Sequence, residues 1–478
     1  MNSGDGRKVP VVLALALGLS SGCAVGPRYR RPALEVPQAF RGQAAAEQSS
    51  FADTPWWDVF KDEALKGLIK TALADNYDVR IAVARMDQAQ AVAMEARGSL
   101  LPQFGYEGAA SRGRNSFLGN PTLARGVTGD SYLGAFTAGW EVDFWGRLRR
   151  LDEAARAQYL ASEEGRRATT LSLVSAVAQS YFQLLALDKE MEIAKRTRAS
   201  FEQSLDLFNR RFQGGVASKL EVARGEGARA TVAAEVPELE RQVQLQENVI
   251  NVLLGRGPGP VARTATLLDQ TFPPEIPAGL PSALIERRPD IRGLEQLVRA
   301  ANAKVGASLG DFLPKINLSG FYGGVSTKLS ELTIPHSGAE TWAGQGSVSG
   351  PLFTGGRLLG EYRQNKASWE EAKLRYQQLV STAFREVADA LVSRVKFDEA
   401  RAEQEKSVQA YTDAVKVSLE RYVAGKAGYF EVLEAQQQLF PAEVTLAQIQ
   451  LSRLLSVVQL YRALGGGWDL QQGARKPL

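Results

Sequence analysis

The feature that most constrains the fold is an internal repeat of about 210 residues. The segment Asn76–Arg80 resembles Arg288–Arg292, and the triplet Gly146–Leu148 recurs as Gly356–Leu358. The spacing continues further along the chain in the pairs Arg211/Arg421, Gly215/Gly425 and Leu254/Leu464. Because a period of this length is that of a whole domain and not of a short solenoid repeat, the sequence predicts a tandem duplication.

Each half of the repeat has the pattern of a helix, two strands, a long helix, a turn and a final helix. The first helices, Asp62–Leu101 and Pro281–Leu313, stop at Leu-Pro pairs because proline cannot continue a helix. Apolar residues in the first long helix and in the last helix recur at the three- and four-residue steps of coiled coils. The long helices are predicted at Gly146–Phe212 and Gly356–Tyr422, and the strands at Gln103–Arg112, Tyr132–Phe144, Lys315–Val325 and Trp342–Phe353.

Composition and charge exclude several classes of function. Hydrophobic residues make up 44% of the 478 residues, so the chain can bury a core. Its net charge of +4 comes from interspersed basic and acidic residues, which indicates a solvated helical surface and not a nucleic-acid-binding surface. One cysteine and one histidine exclude an intramolecular disulfide and a zinc site built from these residues. We therefore expect no cofactor, no metal and no enzyme activity.

Residues 1–22 have the pattern of a lipoprotein signal peptide. A basic start is followed by the apolar run Val9–Leu19, which is too short to span a bilayer as a helix. The only cysteine of the chain, Cys23, stands where bacterial lipoproteins carry their acylated cysteine, although Ser20 occupies the place that usually holds leucine. The pattern predicts cleavage before Cys23 and attachment of lipid, including palmitate, to it. The alternative is an ordinary signal peptide with a chance cysteine.

The predicted strands have the length of tilted membrane-spanning β-strands. No apolar run of about 20 residues is present, so the sequence predicts no transmembrane helix. In lipid a sheet has to close, because an open edge leaves backbone amides without hydrogen bonds. Four strands cannot close alone: three chains give twelve strands and a lumen, whereas two chains give eight strands and almost none. The alternative is a soluble four-stranded sheet packed on helices.

With these features the chain resembles the lipoprotein outer membrane factors of resistance-nodulation-division efflux pumps, the TolC/OprM-like ducts of the NodT type. The resemblance extends over nearly all of Cys23–Trp468. The motifs that carry it are Cys23–Pro32, Trp56-Trp57 with Phe60, Leu280–Arg292, Gly355–Leu358 and Leu460–Trp468. Since several of these motifs are long and occur in order along the chain, they are specific to this class of protein.

The resemblance implies a mainly α-helical protein with a membrane β-barrel. A homotrimer would form a twelve-stranded barrel, four strands per chain, on a long periplasmic α-helical barrel. The implied location is the outer membrane of a Gram-negative bacterium, with a lipid anchor and a large periplasmic part. The predicted divisions are a signal peptide (1–22), a lipidated equatorial segment (23–60), a first repeat (61–255), a linker (256–281), a second repeat (282–467) and a tail (468–478).

The resemblance also implies a closed periplasmic end at the turns between the long helices. Relatives similar to OprM close the pore with an apolar ring and an acidic ring just after the second turn. On the matching motif Gly425–Gln436 the rings fall on Phe430 and Glu434, and the corresponding places of the first half hold Leu220 and Arg224. We therefore expect these four side chains at the periplasmic gate. The alternative is that Phe430 packs between helices and Glu434 is solvated.

Three tryptophans near strand ends, Trp140, Trp145 and Trp342, are expected in an aromatic girdle at the membrane surface, with core packing as the alternative. The segment Gly306–Gly310 matches the serine-hydrolase pattern, but it lies in a helical pattern and not on a strand-to-helix turn. His336 lies in the loop between the third and fourth strands, which is expected to face the cell exterior. These motifs give no support to catalysis.

The function favoured by the sequence is a passive exit duct for small molecules and drugs. The chain has no nucleotide-binding loop, so the energy would come from partners. The resemblance implies that these partners are an inner-membrane resistance-nodulation-division pump and a periplasmic membrane-fusion adaptor. A type I secretion duct for polypeptides is an alternative within the same class. A periplasmic coiled-coil scaffold lipoprotein, with the same anchor and helices but no pore, is an alternative from another class.

Overall fold

The computed structural model describes residues 24–41, 50–114, 128–270, 277–333 and 338–466. Five helices and two strands belong to the first half of the chain. They are α1 (Trp56–Val59), α2 (Glu63–Asp75), α3 (Tyr77–Gly98), β1 (Gln103–Arg114), β2 (Thr128–Val142), α4 (Arg147–Gln213) and α5 (Lys219–Leu253).

The second half repeats this order from α2 onward, which confirms the predicted duplication. Its elements are α6 (Pro281–Arg287), α7 (Pro289–Gly310), β3 (Lys315–Ser326), β4 (Glu340–Ser349), α8 (Arg357–Val423) and α9 (Tyr429–Ala463). Short 3-10 helices occupy Phe51–Asp53, Leu267–Asp269 and Leu329–Thr333. The chain is mainly helical with four strands, as the sequence predicted.

The first helix of each repeat is broken in two, which the sequence prediction missed. At Asn76 the backbone is extended (ψ 132°), and the side-chain Nδ2 donates a hydrogen bond to the carbonyl of Leu253 (3.0 Å). In the second half Arg288 has ψ 119°, because the following Pro289 disfavours helical backbone. Each predicted helix therefore forms two, α2 and α3 in the first repeat and α6 and α7 in the second.

The two long helices, α4 and α8, each have 67 residues and lie one residue from their predicted bounds. Among the described residues, α4 is the one helix whose length and hydropathy could suit a membrane span, which the sequence did not predict. Its 18-residue apolar window has a mean hydropathy of 1.3, and 67% of that window is buried inside the protein. This degree of burial is typical of a core helix.

The four strands form one antiparallel sheet in the order β1-β2-β3-β4. The central pair joins the two repeats, with Phe136 of β2 opposite Tyr322 of β3. β4 ends at Ser349 and not at Phe353 as predicted, because Pro351 has no backbone N–H to continue a ladder. The sheet therefore depends on both halves of the chain.

The described residues form two compact units, which are considered separately. The first contains the sheet and comprises residues 24–32, 85–162 and 293–376. The second comprises residues 33–84, 163–292 and 377–466 and contains both turns between the long helices and their partners.

In the first unit, Ala24–Pro32 forms an N-terminal strap against the end of β2 and against α7. The backbone N–H of Val25 donates to the carbonyl of Trp145 (2.9 Å), and Arg31 forms an ion pair with the buried Glu295 (2.5 Å). The strap is therefore fixed at both of its ends.

The middle of the strap approaches α7 at a pair of glycines. A Cβ atom added to Gly26 would lie 2.5 Å from the Cα of Gly306, and Gly26 has φ +109°, a conformation that favours glycine. The close contact therefore requires glycine at Gly26.

In the second unit the carboxylate of Asp62 is a buried hydrogen-bond acceptor at the start of α2. One oxygen accepts from the backbone N–H of Ala64 (2.8 Å) and from Thr264 (3.1 Å). The other accepts from the phenol of Tyr181 (2.8 Å) and the amide of Gln270 (2.9 Å). Burial alone raises the pKa of Asp62, but the hydrogen bonds from Tyr181 and Gln270 outweigh it and hold the pKa below its usual value.

Candidate functional site

The two turns that join the long helices to their partners have the same backbone geometry. Each contains a glycine in the left-handed region, Gly215 at φ +75° and Gly425 at φ +71°. The next residue donates its backbone N–H back into the helix, from Val216 to the carbonyl of Arg211 (2.9 Å) and from Lys426 to that of Arg421 (2.8 Å). Glycine therefore ends both long helices by the same hydrogen-bonded cap.

The helices that follow these turns start differently. Ser218 and Glu221 form a reciprocal capping box at the start of α5. The corresponding residue before α9 is Gly428, which has no side chain to cap the helix. The second turn therefore lacks the side-chain cap that stabilises the first.

An aromatic cluster holds the helices together at the turns. Phe208, Tyr422 and Val432 are almost completely buried (0%, 3% and 0% exposed), and they come from α4, α8 and α9. The ring of Phe208 packs edge-on against Tyr422, with centroids 5.4 Å apart, and against Tyr429, with centroids 6.2 Å apart. This tip cluster, Phe208, Tyr422, Tyr429 and Val432, sets the position of the first turn of α9.

Polar contacts connect the tip cluster to the first repeat. Nη1 of Arg211 donates to the carbonyl of Tyr422 (2.8 Å), and the guanidinium lies over the Tyr422 ring, 4.4 Å from its centroid. The phenol of Tyr422 donates to Glu221 on α5 (3.3 Å). Burial raises the pKa of Tyr422, the cation of Arg211 opposes that shift and the carboxylate of Glu221 adds to it, so the phenol remains a donor at neutral pH.

The four predicted gate residues lie around this cluster and not inside it. Phe430 and Leu220 are each 55% exposed, so Phe430 is not buried between helices of its own chain. Glu434 is also exposed, one helical turn after Phe430 on α9. Arg224 of α5 donates to the phenol oxygen of Tyr429 (3.1 Å) and so connects the two repeats beside Phe430.

Sequence reasoning missed the residues that join the repeats at the tip, namely Arg211, Glu221, Tyr422 and Tyr429. A signal for two of them was present, because Arg211-Phe212 and Arg421-Tyr422 occupy equivalent places in the duplication. Their contacts are not deducible from that signal, since Arg211 contacts a residue of the other repeat.

The sheet in the first unit has one aromatic face. Tyr106, Phe136, Tyr322 and Trp342 are directly opposite one another across all four strands. Their exposed fractions are 87%, 72%, 58% and 74%, so none of the described residues covers the row. Side chains of this size on an exposed sheet face are typical of contact with lipid.

The opposite face of the sheet carries mostly small or polar residues. Its residues alternate with the aromatic ones along each strand, because successive side chains point to opposite sides. Examples from the four strands are Gln103, Glu107, Thr137, Glu141, Asn317, Ser319, Gln345 and Ser347. One apolar and one polar face are the pattern of a membrane barrel with a water-filled lumen.

The three predicted girdle tryptophans have different surroundings. Trp342 lies in the aromatic row, whereas the indole N–H of Trp140 donates to the carbonyl of Leu100 (3.0 Å). The indole N–H of Trp145, just after β2, donates to the carbonyl of Pro314 (2.8 Å). Trp140 and Trp145 are half-buried, with their polar atoms bonded to backbone at one end of the sheet.

The remaining sequence motifs do not form a catalytic site in the described chain. Ser308, in the serine-hydrolase pattern, is buried within α7 and donates to the carbonyl of Val305 (2.9 Å), so it is not on a strand-to-helix turn. Cys23 and His336 lie outside the described residues.

The chain matches the family model of the outer membrane efflux proteins twice, at residues 68–256 and 280–466. It is 34% identical over 468 residues to the toluene efflux pump outer membrane protein TtgC of Pseudomonas putida, covering 96% of each chain. It is 31% identical to the cation efflux system protein CusC of Escherichia coli K12, covering 96% of this chain and 99% of that one.

Solved structures of outer-membrane channels have the same fold as this chain. The outer-membrane channel OprN has a TM-score of 0.87 at 29% identity, covering 93% of this chain and all of that one. The open state of the MtrE outer membrane channel of Neisseria gonorrhoeae has a TM-score of 0.83 at 30% identity, covering 93% of this chain and 98% of that one. The resemblance expected from the motifs is confirmed, and the chain belongs to the outer membrane efflux protein family, whose members are efflux channels in the outer membrane of Gram-negative bacteria.

Proposed function

We propose that three copies of this chain close a twelve-stranded barrel through which solutes leave the cell. The sheet is the observation that carries the proposal. Among the described residues, β1 and β4 pair on one side only, and one face of the sheet is aromatic and uncovered. An unpaired edge in lipid leaves amides without hydrogen bonds, so β4 of one copy pairs with β1 of the next. Three copies give twelve strands and a lumen.

The length of β2 supports a membrane-spanning barrel. On its apolar face Tyr132 and Val142 are ten positions apart, which is about 33 Å along the strand. A strand tilt of about 40° reduces this to roughly 25 Å, the height of the apolar band in outer-membrane barrels. Next on this face is Asp130, which forms an ion pair with Arg112 of β1 (3.6 Å), so charge begins where the apolar band ends.

The turns in the second unit form the periplasmic gate in this proposal. Phe430 and Glu434 point away from the tip cluster of their own chain, because both are exposed while Val432 between them is buried. Three copies of Phe430 meet around the pore axis and exclude water, and three carboxylates of Glu434 favour cations. Leu220 and Arg224 stand beside them on α5, and the hydrogen bond from Arg224 to Tyr429 holds the turn closed.

The lipid anchor at Cys23 fits the position of the strap. The next two residues, Ala24 and Val25, lie at the end of β2 beside Trp145 and Gly146. An acylated Cys23 would therefore be held near the end of the sheet from which α4 continues. In this proposal that end faces the periplasm, where acyl chains can enter the inner leaflet of the outer membrane. Two or more acyl chains give stable anchoring.

A periplasmic adaptor and an inner-membrane resistance-nodulation-division pump complete the proposed transport system. The cited relatives are a toluene efflux component and a cation efflux component, so related ducts serve different cargo. We propose small molecules as cargo, with the repeats 61–255 and 282–467 as equivalent building blocks joined by the linker 256–281. Export of polypeptides is the second candidate.

Two measurements test the proposal. Native mass measurement of the detergent-extracted protein should give a trimer, and planar bilayers should show single-channel currents. A monodisperse monomer that conducts would contradict the shared barrel. A trimer that inserts and never conducts would support a coiled-coil scaffold instead of a duct.

A further inference from the structure

We propose that Phe321 and Glu107 form a weak binding subsite for hydrophobic organic cations on the inner wall of the barrel. The subsite rests on the trimeric channel proposed above, because that assembly makes the polar face of the sheet the wall of a lumen. Its ligand would be a cation that carries aromatic or large apolar groups.

Phe321 is the exception to the division of aromatic residues between the two faces. It pairs with Thr137 of β2 and Ala343 of β4, which places it on the polar face, and it is 38% exposed. Every other aromatic residue in the four strands alternates onto the opposite face: Phe104, Tyr106, Tyr132, Phe136, Trp140, Tyr322 and Trp342. An aromatic ring that faces water among small polar residues is available to a ligand.

The residues around Phe321 leave its ring accessible. Thr137 and Ala343 are the side chains directly opposite, and Gly105 of β1 continues the same row. On the same strand and face, Gly323 follows two residues later. None of these side chains is large enough to cover a phenyl ring, so its π-face can contact a cation.

The nearest charge on this face is negative. Glu107 lies on β1, two strands from Phe321, at the level of Gly323 on β3. The Cα atoms of Glu107 and Phe321 are therefore about 12 Å apart. Its side chain is exposed, whereas Glu141 on the same face is neutralised by Arg147 (2.8 Å). Lys315, at the far end of β3, is paired with Asp311 (3.8 Å). The wall near Phe321 therefore attracts cations and offers them an aromatic surface.

Single channels in planar bilayers test the subsite with a set of matched probes. Dibenzyldimethylammonium carries rings and a positive charge, tetramethylammonium carries the charge alone, and toluenesulfonate carries a ring and a negative charge. Each is added on the side of the loop between β3 and β4. Only dibenzyldimethylammonium should reduce the mean current at millimolar concentration.

Variants assign the block to these residues. Phe321→Ala should raise the half-blocking concentration of dibenzyldimethylammonium about two- to fivefold, the effect of losing an exposed cation–π contact. Phe321→Leu keeps an apolar side chain without a ring and should behave in the same way. Glu107→Gln should also raise the half-blocking concentration of dibenzyldimethylammonium, because it removes the nearby negative charge. Phe104→Ala removes an aromatic ring from the opposite face and should leave the block unchanged.

The outcomes separate the subsite from the channel. If wild-type channels conduct and both Phe321 variants are blocked at the wild-type concentration, the subsite is wrong and the channel stands. If toluenesulfonate blocks as well as the aromatic cation, the assigned charge preference is wrong. If wild-type trimers insert without conducting, the channel is wrong and the subsite falls with it.

Discussion

The guanidinium of Arg211 lies over the ring of Tyr422, 4.4 Å from its centroid, and donates to the carbonyl of the same residue. The contact joins the ends of the two long helices, one from each repeat. Because Tyr422 also donates to Glu221 on α5, a single side chain connects α4, α5 and α8 at the tip. We therefore expect a movement that opens the second turn to break these contacts.

Tyr422→Phe should loosen the tip. It removes the hydrogen bond to Glu221, which contributes about 1 kcal/mol, and leaves the ring in place. Single-channel conductance should rise above that of wild type, whereas Tyr411→Phe, earlier on α8 and outside the tip cluster, should have no effect. In wild type the pKa of Tyr422 is raised, so the link is present below pH 10 and is lost as the pH rises through the pKa of the folded protein. Equal conductance of Tyr422→Phe and Tyr411→Phe would show that Tyr422 has no part in closing the tip.

Phe430→Ala should raise conductance and sensitise cells to large antibiotics, because it removes the apolar ring that we propose to resist wetting. Glu434→Ala should reduce cation selectivity with less effect on conductance, since it removes charge from the passage. Reversal potentials in a salt gradient separate the two effects. If both variants match wild type, the constriction lies elsewhere.

Ala138→Arg should impair trimer assembly. Ala138 lies between Phe104 and Gly320 on the lipid face, where an arginine near the bilayer midplane costs about 2–4 kcal/mol. Thr137→Arg is the matched control, because it places the same side chain one residue away on the lumen face. The yield of heat-resistant trimer on gels should fall for Ala138→Arg only. Equal loss in both variants would contradict the assignment of faces.

Gly26→Ala should release the N-terminal strap. Its new Cβ would lie 2.5 Å from the backbone of Gly306, and the positive φ adds strain. Limited trypsin digestion should then cut faster at Arg28, within the strap. Gly98→Ala serves as the control, because an added Cβ there has no atom within 4 Å. A strap that stays resistant in Gly26→Ala would show that the backbone adjusts at little cost.

Asp62→Asn should lower the thermal unfolding temperature measured by circular dichroism. The amide cannot accept from both Tyr181 and Gln270 in addition to its other donors, and each unsatisfied buried group costs about 1–3 kcal/mol. Because the pKa of Asp62 is lowered in the folded protein, its stabilisation is present above about pH 4 and is lost as the pH falls through the lowered pKa. Wild type should therefore lose more stability than Asp62→Asn on acidification. Parallel pH profiles would exclude a charged Asp62 as the cause.

The sequence predicted the parts of the fold that local chemistry decides. The Leu-Pro pairs predicted the ends of the first helices to within three residues, since α3 ends at Gly98 and α7 at Gly310. Strict alternation predicted four strands and their two faces. The break at Asn76 was not predictable, because its amide bonds to Leu253 far along the chain. The break at Arg288 had a local signal in Pro289, which the continuous apolar pattern outweighed. The gate residues were predicted from the resemblance and not from a local pattern. The contacts around Tyr422 were not predicted, because they depend on packing between the two repeats.

The pairing of Phe136 with Tyr322 has a consequence for biosynthesis. The two residues are 186 positions apart (322 − 136), so the central strand pair cannot form until most of the chain has crossed the inner membrane. Until then the β1–β2 hairpin exposes its aromatic side chains to the periplasm, where unpaired strands aggregate readily. Contacts of such long sequence separation also form slowly. We therefore expect the helical parts to fold before the sheet is complete, and the nascent hairpin to depend on periplasmic chaperones during the interval.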